Sequence, residues 1–333
     1  MDDCVRHLGP LDVVTIETKH QNGRWLGKAG NAALAATSLT ALADTCITAL
    51  GATHPATVKI RAQAARWLGK SGEHQAATAA FASLAGDCER SLGADALSTL
   101  QARYQGARWE TEDRRSQPAV HAAAAGFGRL AADCIRVLGP VHPLTFDARC
   151  QYGRWTGHDG DPEEAVDILE RLVDDCQTLL GTRHPSAFEA RQLYIRWLGK
   201  ATTVTAAMTA FAALIDDCQR GLGPAHMITL RTRYLHARCT GEAGDPLAAA
   251  TALTNLYLDH EELRGRDHPD SLRLRQEQAQ WTGEAGDFAA AVRKLKDLAN
   301  QRGIRSGARA PETVAVRAAL THWMDKLAVA APS

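Results

Sequence analysis

The stretch from Asp175 to Asp216, DCQTLLGTRHPSAFEARQLYIRWLGKATTVTAAMTAFAALID, is one unit of a repeat that runs through the chain. Its Leu-Gly glycine and its tryptophan recur every 42 residues, with one step of 46. The glycines are Gly9, Gly51, Gly93, Gly139, Gly181, Gly223, Gly265 and Gly307. The tryptophans are Trp25, Trp67, Trp109, Trp155, Trp197, Trp281 and Trp323, with Cys239 where an eighth is due. Such a period is typical of stacked supersecondary units rather than of one globular core.

The repeat predicts one elongated array over residues 1–333, with units that start near positions 1, 46, 88, 134, 176, 218, 260 and 302. Each unit contains two predicted helices. The first starts at a His-Pro step such as His184-Pro185, where proline is tolerated because its missing N–H would be unpaired anyway. The second, for example Pro162 to Leu180, ends at the Leu-Gly pair. Its apolar residues at helical spacing are Ala165, Ile168, Leu169, Leu172 and Leu179.

One unit departs from this pattern, because the extra four residues fall in the third unit. There the segment Glu110 to Val120 replaces the usual short turn and is predicted to be a loop. Since insertions in repeat proteins often map to a binding face, this segment is a functional candidate beside the reading as a plain solvated loop.

Composition and motifs exclude several classes of function. The 38 basic and 38 acidic residues balance, which argues against a general binder of nucleic acid or membrane surfaces. No targeting pattern or membrane-length apolar run is recognised, so a cytoplasmic location is predicted. No phosphate-binding, zinc or nucleophile motif occurs, so the sequence predicts no cofactor, no metal and no catalytic residue. Whether the chain is an enzyme stays open, with a non-enzymatic role favoured.

Six of the eight cysteines occupy one repeat column: Cys4, Cys46, Cys88, Cys134, Cys176 and Cys218. Equivalent positions in stacked helix pairs lie too far apart for a disulfide or a shared metal ion. The column is therefore predicted to be a free, small, apolar packing position. The once-per-unit His-Pro histidines cannot share an ion either, and they are predicted to cap helices or pack in loops.

The motifs resemble tetratricopeptide repeats, most of all the long, 42-residue variety of kinesin light chains and many actinobacterial proteins. The resemblance lies in the start Leu50-Gly51-Ala52-Thr53-His54-Pro55-Ala56-Thr57-Val58 and in the tail from Arg61 to Gly72, and it covers essentially the whole chain. It implies an all-α, right-handed helical-repeat solenoid of about eight helix pairs. It also implies that the first helices line a concave face that binds peptides or protein partners.

Two arginine columns follow the first helix. A wheel at 100° per residue places one on the buried side: Lys19, Arg61, Arg103, Arg149, Arg191, Arg233, Arg275 and Arg317. Because burying an unpaired guanidinium is costly, each is predicted to pair with an aspartate of the second helix. That aspartate column is Asp3, Asp87, Asp133, Asp175, Asp217 and Asp259.

The other column lies on the polar face: Arg24, Arg66, Arg108, Arg154, Arg196 and Arg238. The predicted ligand-binding residues are Arg66, Arg108, Arg154, Arg196 and Arg238, with Gln105, Gln151, Tyr104 and Tyr234 beside them. Forked guanidinium donors suit carboxylates and phosphates. The alternative is that neighbouring Glu and Asp residues neutralise this column.

The resulting hypothesis is a protein- or peptide-binding scaffold whose Arg-lined groove recognises an acidic or carboxylate-bearing segment. A second hypothesis is a regulator or enzyme of specialised metabolism that encloses a small anionic ligand, which would need a closed, deep pocket. RNA binding is a third, and zero net charge counts against it. Incompletely capped ends further predict self-association.

Overall fold

The computed structural model describes residues 6–9, 11–112, 117–307 and 310–330. Within these ranges the chain forms fifteen long α-helices and no strand. They are α1 Val13–Lys28, α2 Ala32–Leu50, α3 Pro55–Lys70, α4 His74–Leu92, α5 Leu97–Glu112, α6 Gln117–Leu138, α7 Pro143–Asp159, α8 Pro162–Leu180, α9 Pro185–Ala201, α10 Val204–Leu222, α11 Met227–Glu242, α12 Pro246–Arg264, α13 Pro269–Glu284, α14 Phe288–Ser306 and α15 Pro311–Ala330. The predicted all-α solenoid of repeated helix pairs is confirmed. Odd-numbered helices are the first of each pair and even-numbered helices the second.

The histidines before the first helices act as caps. Each accepts a hydrogen bond at Nδ1 from the backbone N–H two residues further on, at 3.2–3.3 Å: His54, His142, His184, His226 and His268. This bond satisfies one of the N–H groups that a helix start leaves unpaired. The second helices end at glycines such as Gly51, whose φ of 95° other residues rarely adopt. The predicted capping role of the His-Pro step is therefore confirmed.

The helices form two compact units, residues 1–168 and 169–333, with the boundary inside α8. In the first unit, each helix from α1 to α7 packs against the next one. In the second unit the same holds from α9 to α15. Successive first helices also touch within a unit, α1 with α3 and α3 with α5, and α9 with α11 and α13 with α15. Each unit thus stacks its helix pairs by nearest-neighbour contacts.

The cysteine column lies in the core of these stacks. Its described members are fully buried: Cys46, Cys88, Cys134, Cys176 and Cys218. All seven described cysteines are free, whereas Cys4 falls outside the described residues. The prediction of a free packing position is confirmed. The same column continues beyond the cysteines as His260 and Arg302, both buried.

Tryptophans and glycines link consecutive first helices. The indole of Trp67 in α3 lies against Gly27 in α1, so that a Cβ on the glycine would come within 2.3 Å of the ring. The same pairing joins Gly69 to Trp109, Gly241 to Trp281 and Gly283 to Trp323. Only glycine leaves room for so close an approach. In these four contacts, the glycine two residues after the tryptophan position is the seat for the tryptophan of the following pair.

Four of the predicted Arg–Asp pairs form between the two helices of a pair, whereas Arg275 bonds to Gln301 instead. The N···O distances are 2.8 Å for Arg61–Asp87, 2.9 Å for Arg103–Asp133, 2.8 Å for Arg191–Asp217 and 2.6 Å for Arg233–Asp259. These pairs are less buried than the wheel predicts, since 11–34% of each of these arginine side chains stays exposed. A second arginine, three residues after the aspartate, also reaches it in three of the pairs, as Arg90, Arg136 and Arg220.

One local prediction is wrong, and two apolar side chains are more exposed than the rest of their series. The described parts of the segment 110–120 are helical rather than a loop, because α5 runs to Glu112 and α6 begins at Gln117. Leu179 is 55% exposed, since it lies in the last turn of α8, past the buried stripe that Leu169 and Leu172 mark. Trp25 is 64% exposed although the other described members of its column are at least half-buried.

One helix among the described residues, α2, is long and apolar enough to cross a membrane by length and composition alone, which the sequence analysis did not anticipate. Its side chains Leu39 and Cys46 are fully buried in a core that also contains Ile60 of α3. The same packing positions are filled in the equivalent helices α4 and α6.

Candidate functional site

The second arginine column follows one face of the first helices, and most of its members are exposed. In the first unit, Arg66 on α3, Arg108 on α5 and Arg154 on α7 are exposed. In the second unit, Arg196 on α9 is exposed and Arg238 on α11 is half-buried. Each residue of an α-helix is rotated by 100° from the one before it. This column therefore lies on a different side of the helix from the buried column, which is five residues earlier. Each unit therefore carries its own arginine-bearing face.

In the first unit this face is built around Tyr104. Its ring is buried edge-on to Phe127 at 6.2 Å, and the guanidinium of Arg108 lies 5.9 Å from the ring centre. Burial, helped by the nearby Asp147 carboxylate, raises the pKa of Tyr104 to about 12, against a hydrogen bond with Gln151. Tyr104 is thus a neutral, fixed support under Arg108. The structure brings Tyr104, Arg108 and Gln151 together, as the sequence predicts for one face.

Arg66 and Arg108 stand out because neither forms an ion pair with any described residue. Partial desolvation, followed by repulsion from Arg108, lowers the pKa of Arg66. The two guanidinium groups therefore repel each other across consecutive first helices. Arg108 also interacts with Asp147. Desolvation raises the pKa of the Asp147 carboxyl group, and the positive charge of Arg108 opposes that rise. Apart from this attraction, no carboxylate among the described residues pairs with Arg66 or Arg108.

Gln105 and Arg154 lie on the same side of the first unit. Gln105 is half-buried next to Tyr104. The guanidinium of Arg154 lies 5.7 Å from the ring centre of Trp155, and no carboxylate pairs with it among the described residues. Three of the five predicted arginines therefore lack a carboxylate partner: Arg66, Arg108 and Arg154.

The second unit repeats the arrangement at Tyr234, which occupies the same repeat position as Tyr104. Its hydroxyl donates to Glu277 at 2.5 Å and accepts from Arg273 at 3.0 Å. The guanidinium groups of Arg273 and Arg238 lie 5.2 and 6.0 Å from its ring centre. Burial and the hydrogen bond to Glu277 raise the pKa of Tyr234. The position on the next helix that holds Asp147 in the first unit holds Arg273 here.

Charge is compensated differently in this second unit. Arg238 pairs with Glu242 at 3.1 Å, one helical turn further on, and Arg273 approaches Glu277 at 3.5 Å. Neutralisation by neighbouring carboxylates, the alternative weighed from the sequence, therefore applies to Arg238.

A cavity of about 380 Å³ opens beside Tyr234. It is bounded by α9, α11, α12 and α13. Its apolar lining comes from buried residues of the last three helices: Ile228, Leu230, Leu256 and Leu274. Arginines and carboxylates line the rest, together with the buried His260. Apolar walls with a few polar groups are what small-ligand sites usually show.

A smaller cavity of about 300 Å³ lies in the first unit between α4, α5 and α6, next to the inserted segment. Gly106 and Gly126 contribute to it, and a side chain on Gly126 would meet nothing within 4 Å. The two glycines thus leave space beside the insertion.

Sequence reasoning missed Arg273, Glu277 and His260. Arg273 and Glu277 gain their roles only through contacts with the preceding helix, which no spacing reveals. His260 could have been found, because it interrupts the cysteine column at its seventh position. A histidine in a column of small apolar residues is a departure that a repeat alignment exposes.

Comparisons with known proteins agree with this fold. A tetratricopeptide-repeat family model matches residues 149–186. The TPR-like repeats of a kinesin-light-chain-like protein from Podosopora anserina share 19% identity, with a TM-score of 0.53, over 63% of this chain and 98% of that one. A tetratricopeptide repeat protein from Parabacteroides merdae shares 13%, with a TM-score of 0.58, over 93% and 98%. A Rap protein in complex with competence and sporulation factor shares 12%, with a TM-score of 0.52, over 94% and 86%. No curated protein matches the sequence.

Proposed function

We propose that this tetratricopeptide-repeat protein, similar in fold to kinesin-light-chain-like repeats, is a scaffold that binds an acidic segment of a protein partner. The binding surface in the first unit is the face formed by Arg66, Arg108 and Arg154, with Gln105 and Gln151 beside them. The observation that carries the proposal is the absence of an ion pair at Arg66 and Arg108, exposed residues on consecutive first helices that repel each other.

Two like charges held close together repel, and each would be stabilised by an anionic partner. A guanidinium keeps its charge throughout the physiological pH range and engages a carboxylate through two parallel bonds. Each well-formed bond of this kind contributes about 1.5–3 kcal/mol. An acidic segment laid across the face would satisfy both arginines together. Tyr104, fixed in the core below Arg108, limits the entropy lost when the arginine is ordered.

Two wider observations support a scaffold. Tetratricopeptide repeats commonly serve protein interaction, and a Rap protein of similar fold has been solved with a signalling factor bound. In the second unit Arg238 is already paired with Glu242, so the proposal is confined to the face of the first unit. We also propose that the protein acts in the cytoplasm.

The test measures binding of a fluorescently labelled hexaglutamate peptide to the full chain, with hexaglutamine as the neutral control. We expect the double variant Arg66→Gln/Arg108→Gln to weaken hexaglutamate binding by at least about tenfold, because it removes both charged donors. The matched control is Arg90→Gln/Arg129→Gln, which removes two exposed arginines from the second helices of the same unit.

Circular dichroism should show the same helix content and melting curve for both double variants, since all four side chains are exposed. Equal loss of binding in the two variants would mean that only overall charge matters, and would contradict the proposed face. Binding that survives in Arg66→Gln/Arg108→Gln would move the partner to another surface, with the insertion next to Gly126 as the first place to look.

A further inference from the structure

The cavity beside Tyr234 holds two opposite charges that no described residue neutralises. Glu189 on α9 and Arg231 on α11 both line it, and neither has an ion pair or a hydrogen bond with a described residue. They occupy the same repeat position on consecutive first helices. The other charges of the lining are engaged: Arg238 with Glu242, Arg273 with Tyr234 and Asp270 with Arg264. The cavity therefore offers one free cation and one free anion among its described residues.

The inner wall adds a third unsatisfied group. His260 on α12 is 5% exposed, and its Nδ1 atom is buried without a hydrogen-bond partner. Buried polar atoms in native structures nearly always have a hydrogen-bond partner, so this nitrogen is a position where a bound ligand can form a hydrogen bond. Burial lowers the pKa of His260, opposed by Asp270 and reinforced by Arg264, His268 and Arg233. A neutral ring presents a donor or an acceptor at Nδ1, and a hydroxyl group satisfies either.

We propose that this cavity binds a free α-amino acid whose side chain is apolar along its length and ends in a hydroxyl group. Its carboxylate pairs with Arg231 and its ammonium group with Glu189. The body of its side chain packs against Leu230, Leu256 and Leu274. The terminal hydroxyl hydrogen-bonds to His260.

A zwitterion accounts for the observed charges better than an anion does. A simple carboxylate would use Arg231 but would leave Glu189 unpaired beside a second negative charge. A simple ammonium compound would leave Arg231 unpaired in the same way. Only a molecule with both groups satisfies both residues, and the apolar wall and His260 then select its side chain. The site is independent of the acidic-segment face, which lies in the first unit.

The experiment uses the full chain and four probes that differ by one group each. L-Tyrosine carries all three groups, L-phenylalanine lacks the hydroxyl, tyramine lacks the carboxylate and 3-(4-hydroxyphenyl)propionate lacks the ammonium group. Binding is measured by saturation-transfer NMR with competition. For a ligand of this size we expect L-tyrosine to bind with a Kd of about 1 mM or below. Each of the other probes should bind at least about tenfold more weakly, since it leaves Glu189, Arg231 or His260 without its partner.

Three variants assign the contacts. Glu189→Gln should remove the advantage of L-tyrosine over 3-(4-hydroxyphenyl)propionate, and Arg231→Gln its advantage over tyramine. His260→Cys should remove the advantage over L-phenylalanine, and it installs the residue that this column carries in the preceding pairs, so the fold is preserved. Gln301→Ala on α14 is distant in sequence and outside the lining, and it should leave all four affinities unchanged.

Equal affinity for the four probes, or no L-tyrosine signal, would overturn the proposal. So would a preference for tyrosine only within an acidic peptide, since the cavity would then be part of a peptide groove. Loss of hexaglutamate binding in Arg66→Gln/Arg108→Gln leaves this site intact, so the two proposals fail separately.

Discussion

Replacing Gly27 by alanine tests whether the stacking of first helices depends on the seat that glycine offers to tryptophan. A Cβ at this position would lie 2.3 Å from the indole of Trp67, whereas carbon atoms in contact lie about 3.5–4.0 Å apart. The ring, only 7% exposed, would have to retreat by more than about 1 Å through a filled core. Overpacking of this kind costs about 1–3 kcal/mol.

Alanine has a compensating advantage, since glycine within a helix is less favourable by up to about 1 kcal/mol. That gain is small here because Gly27 lies in the last turn of α1. We therefore expect Gly27→Ala to lower the free energy of unfolding by about 1–2 kcal/mol. The measurement is urea denaturation followed by far-UV circular dichroism and by tryptophan fluorescence.

The matched control is Gly126→Ala, inside α6, where an added methyl group would meet nothing within 4 Å. Here only the helical preference acts, and stability should rise by about 0.5–1 kcal/mol. In a Trp67→Leu background the cost of Gly27→Ala should largely vanish, because the two sites share one contact. If Gly27→Ala stabilised the protein as Gly126→Ala does, the reasoning would be refuted.

Three further predictions concern stability and assembly. Arg191→Met should cost only about 1 kcal/mol in urea denaturation, because the Arg191–Asp217 pair is partly exposed and Asp217 keeps Arg220; a loss near that of a fully buried pair would contradict this. Burial lowers the pKa of His260, so the unfolded chain binds more protons and stability should fall as pH drops below about 6.5; His260→Cys should flatten that decline in urea titrations at several pH values. Exposed apolar side chains such as Trp25 should drive concentration-dependent self-association, visible by light scattering and reduced in Trp25→Gln; a strict monomer at all concentrations would count against it.

The repeat itself was readable from the sequence because each column has one physical task. The column of small, free cysteines identifies the core. The arginine that lies five residues before an exposed arginine belongs to the column that pairs with aspartate. The exposure of these arginines was harder to predict, because a helical wheel assigns a side chain to a face but does not say how much of it stays in water, as at Arg61 and Arg191.

The inserted segment shows why a loop prediction failed. Four extra residues are close to one turn of an α-helix, which takes 3.6 residues. α6 is 22 residues long where α4 has 19, so the insertion lengthens a helix. Charged and polar residues suggested a loop, yet most of them are also acceptable on an exposed helical surface.

The candidate sites were predictable in part. The wheel placed the arginines on one face, and the spacing of Arg238 and Glu242 by four residues could have revealed their ion pair. The bonds of Tyr234 with Glu277 and Arg273 join different helices, and they depend on side-chain rotamers that periodicity does not determine.

The contact between an indole and a glycine is directional. A helix pair supplies the glycine to the pair that follows it and the tryptophan to the pair before it. A duplicated 42-residue segment would therefore carry both halves of the contact and mate with its neighbours at once. An array built in this way can gain or lose whole repeat units, because an added unit packs against its neighbours through surfaces that the repeat already contains. The copies that contain Cys239 and Thr111 are exceptions, since the first would bring a seat but no ring and the second a ring but no glycine.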